Sequence, residues 1–202
     1  MTPTLLTLLP SLDEQAGLLD ILKGVFVFQP LGSHDELVRR IDTFRNTGPD
    51  VQETNGPSSV NLLGLYSIAA GAFALAAVGS PRPVMSSPRA VNLYTAGRRA
   101  LQLVIDHPQS TPNSVDHLRS GMSLLLFLMF SHRLTGGEQP LSGAWHRKWI
   151  LTEINVVLKL IAHACEDQEV NQSLHQPVSQ DVHPRDLQER AKLASAAYYY
   201  EM

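Results

Sequence analysis

The sequence predicts an all-α protein, an irregular helical bundle of about six to seven helices. Apolar residues recur three and four positions apart in several segments, which is the spacing of one face of a helix. In contrast, no segment alternates apolar and polar residues as a half-buried strand would. Segments rich in glycine, proline and polar residues separate the periodic stretches, as loops do between helices.

The run Val60–Gly79 contains no charged residue. A membrane-spanning helix needs about 20 strongly apolar residues, whereas asparagine, serine, glycine and alanine dilute this run. No cluster of lysine or arginine flanks either end to set an orientation in a bilayer. We interpret the run as a helix buried in a soluble core, with a membrane anchor as the alternative.

Two amphipathic helices are predicted before this run. Ser11 and Glu14 form a capping-box pattern, S-x-x-E, so the first helix begins there, and we expect it to end near Gly24. Ser33 is the predicted cap of the second helix. Its buried face is formed by Leu37, Ile41 and Phe44. Residues 46–59, with two Gly-Pro steps, form a loop.

Three further helices are predicted after the uncharged run. Three prolines between residues 79 and 88 end that run, and a fourth helix follows from about Arg89 to Asp106. The fifth helix is apolar all round, which predicts a central place in the bundle. Its main stripe is Val115, Leu118, Met122, Leu125 and Met129. The sixth begins near Ser142. Its stripe is Ile150, Ile154, Val157, Ile161 and Ala164.

Composition divides the chain into three parts. Residues 1–165 are predicted to form one helical domain of a regulatory type. Residues 166–184 are polar and contain two prolines, which predicts a linker. Residues 185–202 are predicted to form a short C-terminal helix.

Charge and cysteine content exclude several classes of function. A net charge of −3 gives no electrostatic reason to bind nucleic acid, and the basic clusters are only doublets, so we expect no direct contact with nucleic acid. Charged residues make up only 17% of the chain, a low share that favours an apolar surface covered by a partner. The single cysteine excludes an intrachain disulfide and a cysteine-rich zinc site. Together with the absence of a secretory signal, this favours a nuclear or cytoplasmic protein.

No catalytic motif is present: the chain lacks a nucleophile elbow, a Walker loop and a dinucleotide fingerprint. We therefore predict no catalytic residue, no metal and no cofactor, and the sequence does not identify an enzyme. His163 and Asp167 share a helical face, but two ligands do not make a metal site. Asp116 and His117 are interpreted as polar residues of a helix end.

Two tryptophans lie one helical turn apart, and such residues either fill a core or line a ligand pocket. The core is the commoner role. If a small apolar ligand binds, the residues expected around it are Trp145, His146, Trp149, Arg98 and His132.

Four loose hydrophobic motifs follow one another along the chain. The opening segment has a Leu-Pro-Ser step at residues 9–11, an amphipathic helix and a Phe-x-Pro step at residues 28–30. An alanine-rich segment, Leu65–Ala72, and the tyrosine-containing Ala90–Leu101 come next. The leucine-rich Ser120–Leu134 then precedes Gly-Ala-Trp at residues 143–145. In this order they resemble the regulatory middle homology domain of fungal zinc binuclear cluster transcription factors, across roughly residues 8–165.

The resemblance implies transcription regulation in the nucleus, with a protein partner or self-association, in a setting such as fungal secondary metabolism. Two departures limit it. The family's DNA-binding element holds zinc through six cysteines, so no DNA-contacting residue carries over to this chain, and Leu158–His163 replaces the family's usual Leu-Gly-Leu-His ending. The alternative is a cofactor-free small-molecule-binding protein or enzyme of a fungal biosynthetic pathway, which encloses an apolar substrate.

Overall fold

The described part of the chain is entirely helical in its regular structure. The computed structural model describes residues 7–28, 33–47, 57–79, 87–106, 114–131 and 143–173. These residues contain no strand, which confirms the predicted all-α class. The six helices are α1 (Leu12–Phe28), α2 (His34–Thr47), α3 (Pro57–Gly79), α4 (Ser87–Ile105), α5 (Ser114–Phe130) and α6 (Gly143–Ser173).

The predicted capping box is present at the start of α1. The backbone N–H of Ser11 donates to Oε2 of Glu14 at 2.7 Å, and the backbone N–H of Glu14 donates to Oγ of Ser11 at 3.4 Å. The predicted end near Gly24 is wrong, because α1 continues to Phe28. One glycine in a helix interior costs only about 0.5–1 kcal/mol, which the rest of the helix offsets.

The predicted buried faces of the second and fifth helices are found, except that Val115 is only partly buried and Met129 is exposed. In α2, Leu37, Ile41 and Phe44 are all buried. In α5, Leu118, Met122 and Leu125 are also buried. However, Met129 is 42% exposed, because α5 has reached its last turn there and the side chain projects beyond the core.

The uncharged helix α3 occupies the centre of the bundle. It packs against α1, α2, α4 and α5, and its residues from Tyr66 to Val78 are all buried. By length and composition alone, Val60–Val78 is the one helix among the described residues that is apolar enough to cross a membrane, with a mean hydropathy of 1.7. Within the bundle, 78% of this stretch is buried, and the core helix of a soluble protein passes the same test.

Glycines mark the places where the helices cross most closely. A Cβ at Gly97 in α4 would lie 3.2 Å from Cβ of Ala70 and 3.3 Å from the backbone nitrogen of Gly71, both in α3. A Cβ at Gly121 in α5 would lie 2.5 Å from Cγ1 of Ile161 in α6. The absence of a side chain at these two positions therefore sets the distances from α4 to α3 and from α5 to α6.

Helix α6 packs against α5 and α4, and it extends past the sequence-based boundary at residue 165 to Ser173. The polar composition that predicts a linker from residue 166 does not prevent helix, since Glu, Asp and Gln all have adequate helix propensity. The remainder of the predicted linker and the C-terminal helix at 185–202 lie outside the described residues.

Candidate functional site

Four charged side chains, two of them buried and two partly buried, form a cluster between α2 and α5, which we call the ionic cluster: Glu36, Arg40, Asp116 and Arg119. The guanidinium of Arg119 is almost completely buried, and its Nη1 donates to Oδ1 of Asp116 at 3.0 Å. Nε of Arg40 lies 3.4 Å from the same Asp116 oxygen and donates to Oε1 of Glu36 at 3.0 Å. The cluster therefore joins α2 to α5 through alternating charges.

The pKa values of the two carboxyl groups shift in opposite directions. Burial raises the pKa of Asp116, while the charges of Arg40 and Arg119 act against this rise. The hydrogen bond from Arg39 lowers the pKa of Glu36, with Arg39 and Arg40 adding a favourable charge interaction. Both carboxyl groups are thus engaged by arginines, which suits an ionic joint between helices rather than a group that exchanges protons with a substrate.

A second cluster joins α4 to α6, which we call the Tyr94 cluster: Tyr94, Arg98, Phe127, Trp149 and Glu153. The hydroxyl of Tyr94 donates to Oε2 of Glu153 at 2.7 Å, and Nε of Arg98 lies 3.0 Å from the same oxygen. The ring of Tyr94 stacks on Phe127 with a centroid distance of 4.9 Å. Its edge meets Trp149 at 5.9 Å, with the two rings 81° apart.

The environment of Tyr94 keeps its hydroxyl protonated. Burial raises the pKa of Tyr94, and the hydrogen bond to Glu153 and the negative charge of Glu153 raise it further. The phenol is therefore a fixed donor to Glu153, and Arg98 supplies the positive charge that balances the carboxylate. Such a group orients helices or a bound molecule, but it does not act as a base near neutral pH.

A line of small polar groups crosses the interior where α3, α4 and α5 meet. Oγ of Ser67 donates to the backbone carbonyl of Gly97 at 2.7 Å and also bonds to Oγ of Ser120. Because the hydroxyl proton of Ser67 is used by Gly97, Ser120 must be the donor in the second bond. Oγ of Ser123 donates to the carbonyl of Arg119 within α5. Ser67 and Ser120 therefore bond to each other, Ser123 bonds within α5, and their small side chains allow close helix packing.

The structure brings together two of the five residues expected around a ligand. Arg98 and Trp149 both belong to the Tyr94 cluster, where Trp149 is partly exposed. Trp145 and His146 lie in the first turn of α6, but their side chains are outside the described set, and His132 lies outside the described residues altogether. Among the described side chains, no group of three or more His, Cys, Asp or Glu could hold a metal ion.

Sequence reasoning missed the residues at the centre of both clusters. Tyr94 and Arg98 are four residues apart on α4, so one helical face carries both, yet nothing in the sequence points to Glu153 as their shared partner. Arg119 does leave a signal, because it is a charged residue just before the long apolar part of its helix. Asp116, three residues earlier, is in position to pair with it. Asp116 lies in the first turn of α5, as its interpretation as a helix-end residue requires, but it is buried.

No family model, curated protein or solved structure matches this chain. Function is therefore inferred from the two clusters and from the surface around them. Their shared property is that charged and polar side chains bond to one another between helices.

Proposed function

We propose that the chain is a helical regulatory module, of the kind that controls fungal zinc binuclear cluster transcription factors. It acts by binding a protein partner or another copy of itself, and the six-cysteine DNA-binding element is not within this sequence. The proposal is supported by one observation: in both clusters the charged side chains, which are buried or partly buried, pair with one another and bridge two helices. A module of this type presents its outer surface to a partner, whereas an enzyme needs a reactive group that faces a substrate.

The surface offers several contact points for a partner. Large apolar side chains are exposed on four of the six helices. They are Leu12 at 65%, Leu103 at 50%, Met129 at 42% and Leu151 at 63%. Single exposed apolar residues are normal in soluble proteins, so no one of these defines an interface by itself. A regulatory module needs only one helical surface of this sort to hold a partner helix.

A tethering experiment tests the proposal. The chain is fused to an unrelated DNA-binding domain in yeast, with a reporter gene downstream of the cognate site. We expect the fusion to change reporter expression several-fold, because a regulatory module recruits or masks a partner. The control is Leu75→Asp, which places a charge at a fully buried position and should abolish both folding and the effect. A folded, soluble fusion that leaves the reporter unchanged contradicts the proposal.

The Tyr94 cluster favours a second candidate function, the binding of a small apolar ligand beside Trp149. Trp149 is partly exposed and meets the buried ring of Tyr94 edge to face, so an aromatic ligand could pack against Trp149 in turn. Anilinonaphthalene sulfonate is a suitable probe, with its own fluorescence followed on direct excitation so that the signal does not depend on a tryptophan donor. Saturable binding that Trp149→Ala weakens supports this function, and binding that Trp149→Ala leaves unchanged counts against it.

A further inference from the structure

The ion pair of the Tyr94 cluster is open to solvent on one side. Nε of Arg98 lies 3.0 Å from Oε2 of Glu153, and the hydroxyl of Tyr94 donates to the same oxygen. The side chains of Arg98 and Glu153 are nevertheless 26% and 16% exposed. The pair therefore lies at the edge of the interface between α4 and α6, where a molecule from solution can reach it.

The atoms of the pair that reach solvent are one acceptor and two donors. Among the described residues, no hydrogen bond is made by Oε1 of Glu153 or by Nη1 and Nη2 of Arg98, and none of these three atoms is buried. Nε is the buried nitrogen of this guanidinium. The two side chains thus hold each other through their inner atoms and leave a negative and a positive contact point side by side on the outside.

An aromatic surface lies one helical turn from these contact points. Trp149 precedes Glu153 by four residues on α6, which places the two side chains on one face, about 5–6 Å apart. The buried ring of Tyr94 meets Trp149 with a centroid distance of 5.9 Å, and Trp149 remains partly exposed. Because Tyr94 contacts both Trp149 and Glu153, the aromatic and the charged groups belong to one surface between α4 and α6.

We infer that this surface binds a zwitterionic aromatic molecule, of the class of the aromatic amino acids. The carboxylate of the ligand would accept hydrogen bonds from Nη1 and Nη2 of Arg98, its ammonium would donate to Oε1 of Glu153, and its ring would pack against Trp149. An amino acid carries its ammonium and its carboxylate on one carbon atom, as the closeness of the two contact points requires. This inference rests on the second candidate function and names its ligand class.

Charge balance favours a zwitterion over a ligand with a single charge. Arg98 and Glu153 neutralise each other in a partly buried place, where an added net charge is costly because water cannot fully solvate it. An aromatic amine would leave one positive charge uncompensated, and an aromatic acid would leave one negative charge uncompensated. A zwitterion adds charge-assisted hydrogen bonds of both signs without adding net charge.

The inference is tested with three ligands that share one ring: phenylalanine, phenethylamine and 3-phenylpropionate. The amine lacks the carboxylate, and the acid lacks the ammonium. Titration followed by ligand-observed NMR, with the full chain, measures all three dissociation constants without a tryptophan signal. Phenylalanine should bind at least about tenfold more tightly than either of the others, because a hydrogen bond to a charged group contributes about tenfold or more in affinity. Equal affinities, a preference for the amine or the acid, or no binding of phenylalanine would overturn the inference.

Two variants assign the contacts. Arg98→Met should remove the advantage of phenylalanine over phenethylamine, and Glu153→Gln should remove its advantage over 3-phenylpropionate. Arg99→Met, at an exposed neighbouring position of α4, is the matched control and should leave all three affinities unchanged. Each ratio compares ligands on the same folded variant, so a loss of stability does not imitate the result. If a variant does not fold, the three ligands on the parent chain still decide.

The dye experiment separates this inference from the function on which it rests. If Trp149→Ala weakens binding of anilinonaphthalene sulfonate while phenylalanine has no advantage over the amine and the acid, the inference is wrong and the second candidate function stands. If Trp149→Ala weakens binding of neither the dye nor phenylalanine, both are wrong. The regulatory function is tested independently of both by the reporter.

Discussion

At Arg119 a full positive charge lies inside the core, with only 1% of its side chain exposed. Moving an ion out of water costs several kcal/mol, and a hydrogen-bonded partner of opposite charge offsets this cost. Asp116 provides that partner from the preceding turn of the same helix, and Arg40 and Glu36 extend the pairing to α2. Such a network contributes little net stability. However, any other arrangement of the helices that separated its members would leave a buried charge without a partner.

We therefore expect Arg119→Met to destabilise the protein by about 3 kcal/mol, because it leaves Asp116 buried with less compensating charge. Asp116→Asn should cost a similar amount, and the double variant should cost less than the sum of the two single variants. Urea unfolding followed by circular dichroism measures all three. Arg99→Met, at an exposed position of α4, is the matched control. The ionic cluster has no structural role if Arg119→Met is no more costly than Arg99→Met.

Glu14 is expected to make stability depend on pH in the acid range. Hydrogen bonds from Arg89 and from the backbone of Ser11 lower its pKa from 4.5 to about 2. Because the folded pKa is below the unfolded one, this stabilisation is present above pH 4.5 and is lost as the pH falls towards 2. Glu14→Gln should therefore have a lower urea midpoint than the parent at pH 6, and the difference between the two midpoints should disappear at low pH.

The companion variant for this experiment is Arg89→Met. It removes the largest cause of the low pKa of Glu14, so it should flatten the same part of the pH profile. A gap between Glu14→Gln and the parent that stays constant from pH 6 to pH 2 would show that the carboxylate charge is not responsible.

Among the elements, α5 and α6 are held at a distance set by Gly121. An alanine there would place its Cβ 2.5 Å from Cγ1 of Ile161, so either the Ile161 side chain or one of the two helices must shift. Alanine gains about 1 kcal/mol over glycine in a helix, but overpacking a core costs about 1–3 kcal/mol. We expect Gly121→Ala to lower stability, whereas Gly17→Ala, at an exposed position of α1 with open space, should raise it by about 0.5–1 kcal/mol.

Thermal unfolding of both glycine variants checks this prediction, and a coupled variant identifies the contact. Ile161→Ala removes the atoms that Gly121→Ala would strike, although it leaves a cavity of its own. The double variant should therefore cost clearly less than the two single variants added together. Strict additivity would place the strain somewhere other than at Ile161.

The joint between α4 and α6 depends on the hydroxyl of Tyr94. Tyr94→Phe keeps the ring that stacks on Phe127 but removes the hydrogen bond to Glu153, which should cost about 1–2 kcal/mol. Since the pKa of Tyr94 is raised, its phenol should ionise only when alkali unfolds the protein. In an ultraviolet titration, Tyr94→Phe should remove absorbance change from the unfolding step. If Tyr94→Phe instead removed absorbance change at a lower pH, before the protein unfolds, then Tyr94 would not be a buried hydrogen-bond donor.

Helix existence was predictable from the sequence because it depends on local periodicity. The stripes of α2, α5 and α6 each name residues that the bundle buries, and the S-x-x-E pattern gives the start of α1 correctly. Helix ends were less predictable, because one glycine or a polar run only weakens a helix. Gly24 does not end α1, and α6 continues into its polar part as far as Ser173.

The two clusters were less predictable than the helices, because each depends on how helices pack. Arg98 and Trp149 were singled out as ligand residues, and they do meet, but through Tyr94 and Glu153, to which sequence reasoning gave no role. No local pattern states that a carboxylate of α6 faces an arginine of α4. Only Arg119, a charge within an apolar helix, carried a local signal of burial.

At the scale of the whole molecule, the bundle is arranged around α3. Small residues let α4 and α5 approach α3 closely, at Gly97 and at the crossing beside Gly71, and serines link the three helices at the same level. The ionic cluster and the Tyr94 cluster then tie the surrounding helices to one another. In the described fold, an uncharged central helix is therefore surrounded by helices that are connected to one another by charged side chains.

This arrangement predicts that the full chain is recovered from a detergent-free lysate and that the amides of α3 exchange hydrogen more slowly than those of any other described helix. Exchange requires α3 to open, and α3 opens only when its contacts with α1, α2, α4 and α5 are lost.

Ala74→Asp buries an unpaired charge and should abolish cooperative unfolding, whereas Asn61→Asp, at an exposed position near the start of α3, should be tolerated. Recovery only from the membrane fraction, with rapid exchange of α3 in detergent, would instead identify α3 as a membrane anchor.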